Sequence, residues 1–162
     1  MAIVLDGTTG ITTPGLSNTG TSTFAAGSAA APSIAPTGDP NTGIFFPAAD
    51  TIAFAEGGVE SLRINSVGQV AVNTAGTAAA PVITKSDDLN TGIFFPAADT
   101  IAFAEGGIET LRITSTGAIA VNGAANYGTA TQVLTSNGNA APSWQNAASG
   151  AQDYIVQSYG IV

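Results

Sequence analysis

The side chains able to do chemistry in this chain are carboxylates. Eleven Asp and Glu stand against three Lys and Arg, with no His and no Cys. Asp39, Asp50, Asp87, Asp88 and Asp99 invite a calcium-type site of converging oxygens, and Asp50 with Glu56 a carboxylate pair of the kind a glycan hydrolase uses. The run Asp87-Asp88-Leu89-Asn90 is weak as a cation loop, because the matching run Gly38-Asp39-Pro40-Asn41 has one carboxylate fewer. Asx-type turn capping before Thr-Gly fits these aspartates better. Serines and threonines have neither a histidine nor a Ser-x-x-Lys base to activate them. The glycine clusters Asp6-Gly7-Thr8-Thr9-Gly10 and Glu56-Gly57-Gly58 lack the lysine of a phosphate loop. The expectation is a protein that is not an enzyme and holds no metal or cofactor.

Binding chemistry is sparse too. Arg63, Lys85 and Arg112 are the whole basic inventory of a chain with net charge −8, too little counter-charge for a phosphate backbone, so nucleic acid is excluded. Each arginine follows a glutamate by three, Glu60 with Arg63 and Glu109 with Arg112; pairing with a carboxylate such as Glu60 or Glu56, of the same or a neighbouring chain, would fix strand register and is favoured over sugar-binding arginines. Phe45-Phe46 and Phe94-Phe95 could stack on sugars; neighbours in a strand point to opposite faces, one inward and one outward, and core or inter-chain packing is the commoner outcome. Trp144 and the apolar stretch from Tyr154 through Tyr159 to Val162 read as a tip or docking segment. No apolar run is long enough to span a membrane, and Met1 to Asp6 lacks the start of a signal peptide, so synthesis in the cytosol without membrane insertion is expected.

A repeat must position these residues. Asn41 to Gly58 recurs unchanged as Asn90 to Gly107, an offset of 49 residues, and the register extends through Leu62-Arg63-Ile64 and Leu111-Arg112-Ile113. The chain divides into an N-terminal segment 1–26, modules 27–75 and 76–122, and a C-terminal linker and tip 123–162. Within a module the apolar period is two: Ile52-Ala53-Phe54-Ala55 alternates large and small, and Val70-Ala71-Val72 alternates again. Gly57-Gly58 and Asn65-Ser66-Val67-Gly68 lie between the runs as turns, and Pro47 should end the strand begun at Ile44. Three or four short strands in a meander follow, an all-β fold. The best helical stretches, 78–80 and 145–152, are short and broken.

Alanine supplies 30 of the 162 residues, so each module has only about eight large apolar side chains to set against the entropy of ordering it. Identical neighbours would complete its core. Three chains about an axis would bury Ile52, Phe54, Leu62 and Ile64 in one module and Ile101, Phe103, Leu111 and Ile113 in the other, with Ala53 and Ala55 admitting close backbones and Thr and Asn on the wet side.

The segments DPNTGIFFPAADTIAFAEGGVESLRINSVGQVAVN and DLNTGIFFPAADTIAFAEGGIETLRITSTGAIAVN resemble the repeated modules of bacteriophage tail fibre proteins, particularly those of cyanophages and marine phages. The start MAIVLDGTTGITTPGLSNTGTSTF and the stretch GTATQVLTSNGNAAPSWQ are similar to the N-terminus and distal linker of such fibres. The resemblance implies an elongated homotrimeric fibre in the virion. Its N-terminal segment, with Ile3, Leu5, Ile11 and Leu16 as small apolar anchors, would attach to the baseplate or tail, and its C-terminal part would face the host, with host surface glycan as a further partner. A carbohydrate-binding adhesin whose shaft recognises glycan is the alternative, and a glycan depolymerase a more distant one.

Overall fold

The computed structural model describes residues 19–123 and 125–147. Every regular element among them is a strand: β1 (Gly43–Phe45), β2 (Ile52–Glu56), β3 (Val59–Ile64), β4 (Val70–Val72), β5 (Ile83–Lys85), β6 (Asp88–Phe94), β7 (Ile101–Glu105), β8 (Ile108–Ile113), β9 (Ile119–Val121), β10 (Gln132–Asn137) and β11 (Ala140–Asn146). The chain falls into two units, Met1–Ala71 and Val72–Val162. Neither short helical candidate is helical among the described residues. Thr77 and Ala80 close a turn on each other by two backbone bonds, and 145–146 complete β11.

The first sheet runs β1-β2-β3-β4 and the second β5-β6-β7-β8-β9, each an antiparallel meander. The extra strand of the second has a covalent cause. Pro36 and Pro40 stand where the second module has Lys85 and Leu89, and a proline offers no N–H to a ladder. What survives in the first unit is the single bridge Ile34↔Ile44, the counterpart of Ile83↔Ile93 in β5 and β6. Phe46 and Pro47 lie just past the end of β1, as the missing donor requires.

The motif Asn-Thr-Gly explains why so long a segment repeats unchanged. It clamps the next hairpin. Gly58 N–H donates to Asn41 O at 2.8 Å and Gly57 N–H to the Thr42 hydroxyl at 3.2 Å; Gly107 and Gly106 repeat both bonds to Asn90 and Thr91 at 2.7 and 3.1 Å. Gly57 and Gly58 have φ of 57° and 81°, the two left-handed positions that a two-residue hairpin turn needs to match strand twist. The third residue of the motif is glycine for lack of room. A Cβ on Gly43 would stand 1.9 Å from Ile34 O, and one on Gly92 2.0 Å from Ile83 O.

The core within each unit is small, one phenylalanine ring among alanines. Phe45, Ala53 and Ala55 form it in the first unit, and Phe94, Ala102 and Ala104 in the second, with Ala53 and Ala102 at 0% exposure. Of each Phe-Phe pair, one ring is buried and its neighbour Phe46 or Phe95 partly exposed, as opposite faces demand. The expectation that threonine lies on the wet side is corrected at Thr51 and Thr100. Both are buried, each turning its hydroxyl back to a carbonyl, Ala49 O or Ala98 O, at 3.2 Å.

Candidate functional site

Strand alternation and register separate two faces on each sheet. One carries alanines. Ala53 pairs with Arg63 and Ala55 with Glu60; in the second unit Ala102 pairs with Arg112, which pairs in turn with Ala120. A residue and its third neighbour in a regular strand face opposite ways. Here the register shifts between Phe54 and Ala55, so that Ser61 is left over and bulges, and Glu60 and Arg63 come to one face. The Ser61 hydroxyl donates to Phe54 O at 3.3 Å, and Thr110 does the same to Phe103 O at 3.3 Å.

That bulge makes the ion pairs possible. Arg63 Nε and Nη2 reach the two oxygens of Glu60 at 2.7 Å each, and Arg112 reaches those of Glu109 at 2.8 and 2.6 Å. Both are bidentate forks made within the chain, over the flat surface that alanines provide. The second is the drier: the side chain of Arg112 is 19% exposed against 39% for Arg63. The hydrogen bonds that Arg63 donates to the Glu60 carboxylate raise the Arg63 pKa above its ordinary value.

The opposite face carries the large side chains. Ile44, Phe54 and Leu62 stand in one cross-strand row of the first sheet and Ile52 with Ile64 in the next. The second sheet repeats and lengthens both rows, Ile83-Ile93-Phe103-Leu111-Val121 and Ile101-Ile113-Ile119. The eight residues anticipated as packing side chains lie on this face of their own sheet, Ile52, Phe54, Leu62 and Ile64 in the first and Ile101, Phe103, Leu111 and Ile113 in the second. Within one chain the isoleucines are left open, with exposures of 40% for Ile52, 36% for Ile64 and 42% for both Ile101 and Ile113. Both rows are without charge; by alternation Glu56 and Glu105 lie on this face only at its hairpin end, beside exposed Val59 and Ile108. At the flank of the second face a cleft of about 540 Å³ is lined by Phe95, Ala97, Asp99, Thr100, Ile101 and Ile113.

The aspartates do not converge. No group of three or more His, Cys, Asp or Glu with metal-binding geometry occurs among the described residues. Asx capping at Asp39, Asp87 and Asp88 is corrected as well: Asp87 pairs with Lys85, Asp88 lies in β6, and Asp39 N–H closes a backbone turn on Pro36 O at 3.4 Å. The Asx cap is at Asn65, whose Oδ1 accepts from Val67 and Gln69 N–H at 3.1 and 2.9 Å. Asp50 and Asp99 take φ of 55° and 54°, a left-handed bend that a short polar side chain tolerates.

Trp144 lies in β11 opposite Leu134, packed on Gly128, with its indole N–H donating to Asn126 O at 3.0 Å. It anchors the β10–β11 hairpin. Ile3, Leu5, Ile11, Leu16, Tyr154 and Tyr159 lie outside the described residues.

Sequence reasoning missed the Thr42 and Thr91 clamps, the Ser61 and Thr110 bulge and the Gly128 seat. For the first two a signal exists. The two copies act as an alignment of two, and a hydroxyl is kept at position 61/110 while Ser changes to Thr.

Comparison with protein-family models, with curated proteins and with solved structures gives no match.

Proposed function

We propose that the chain is a structural and adhesion protein of a phage tail fibre, assembled as a homotrimer in the virion. One observation carries the reading: a face with two uncharged rows of large apolar residues, left open in the single chain, recurs at a 49-residue offset behind an alanine core too small to hold a module by itself. Burying what remains exposed of each isoleucine would stabilise by about 1–2 kcal/mol at roughly 25 cal/mol per Å². A surface with the same rows at the same spacing is supplied by another copy of the chain. In this arrangement the modules are stacked spacers, residues 1–26 attach to the baseplate or tail, and the C-terminal segment faces the host.

Native mass spectrometry with electron microscopy of the purified chain tests the proposal. An elongated trimer is the expected result, and a compact monomer would overturn it. The cleft beside Phe95 and Asp99 favours a second reading, glycan recognition along the shaft, since an aromatic edge beside a carboxylate is chemistry a sugar accepts. Glycan-array binding by the assembled protein separates the two.

A further inference from the structure

Two Asn-Gly pairs lie in the second unit, Asn122-Gly123 just after β9 and Asn137-Gly138 at the β10–β11 turn. Asn-Gly is where a side-chain amide is most open to attack by the next backbone nitrogen, because glycine has no Cβ in the way and adopts the required backbone angles freely. The same dipeptide sits in two different settings here. At Asn137 both reacting groups are held: Nδ2 donates to Ala141 O at 2.8 Å and to Ser143 Oγ at 3.1 Å, and Gly138 N–H donates to Ser136 Oγ at 3.3 Å. At Asn122 the side chain makes one bond, Nδ2 to Pro142 O at 2.9 Å, and Gly123 N–H meets no acceptor among the described residues. Asn122 is exposed with φ of 58°, and Gly123 has φ of 126°.

We propose that Asn122 is a site of spontaneous deamidation and isomerisation, reacting ahead of Asn137. The Gly123 nitrogen, losing its proton to solvent base, attacks Cγ of Asn122 and forms the C–N bond of a five-membered succinimide. The Cγ–Nδ2 bond breaks, and the nitrogen leaves as ammonia with a proton from solvent. Water then opens the ring, giving aspartate by attack at Cγ or isoaspartate by attack at the main-chain carbonyl. The net change is one water in and one ammonia out, with no oxidant or reductant.

The product matters because Nδ2 is a donor and a carboxylate is not. The bond from the end of β9 to Pro142 on β11 is lost, and two acceptor oxygens face each other in its place. Trp144, two residues along β11 and the only tryptophan in the chain, reports the release.

The test is peptide mass mapping of the full chain held at mildly alkaline pH, folded and in denaturant, with isoaspartate counted separately. Expected is several-fold faster modification at Asn122 than at Asn137 in the folded chain, with near-equal rates in denaturant. Equal rates in the folded chain, faster reaction at Asn137 or an unmodified Asn122 would each overturn the proposal. The variant Asn122→Asp should shift Trp144 emission to longer wavelength, and an unchanged spectrum would refute the release of β11.

Discussion

Glu60 and Arg63 grip each other through two hydrogen bonds of 2.7 Å although a regular strand would point them to opposite sides of the sheet. Ser61 bulges out between them and brings both to the alanine face. The same device recurs at Glu109, Thr110 and Arg112, where the pair is drier. An ion pair here depends on a backbone irregularity.

Removing one partner of the drier pair should therefore leave a shielded charge behind. Arg112→Ala is expected to destabilise the chain by about 1–3 kcal/mol in urea unfolding, and Arg63→Ala by less. Arg112→Lys should recover only part of the loss, since an ammonium cannot make the planar fork. A double-mutant cycle with Glu109→Gln would give a coupling near zero if the fork were unimportant.

Gly92→Ala places a Cβ 2.0 Å from Ile83 O, where only backbone movement relieves the clash. The expected cost is at least the about 1–3 kcal/mol of an overpacked core, with loss of β5 from the sheet. Hydrogen exchange of the Ile83 and Ile93 amides checks it, and protection equal to that of the parent chain would count against the close approach.

The two faces should respond oppositely to substitution. Ala102→Leu fills a site with no free surface and should destabilise a single chain by about 1–3 kcal/mol. Ile113→Asp keeps the strand but puts a charge on the open rows, and should abolish assembly with far-UV circular dichroism retained. Native mass spectrometry reads this directly; an Ile113→Asp protein of unchanged oligomeric mass would remove the face from the interface.

Gly128→Ala directs a methyl group to within 2.7 Å of the Trp144 ring. The ring should leave its seat, its N–H bond to Asn126 O should break, and Trp144 emission should move to longer wavelength. Because the chain has one tryptophan, the steady-state spectrum alone decides the matter.

Much of the architecture is legible along the chain because it depends on neighbours in sequence. The period of two around Ile52 and Ile101, the Gly-Gly turns, the stop at Pro47 and the 49-residue repeat all express local backbone preference. That each arginine pairs with a nearby carboxylate is legible too; that the partner is the glutamate three before it in the same chain follows from the bulge, which is not. Hidden from the sequence is which side of an alternating strand a single chain buries: Ile52-Ala53-Phe54-Ala55 reads equally well with either face inward. Contacts made by the chain before each sheet decide it: Ala29 packs on Phe45, Ala53 and Ala55, and Ala78 on Phe94, Ala102 and Ala104, so the face with small side chains is the one covered. The larger side chains go to the other face, and the open surface they form carries the case for assembly.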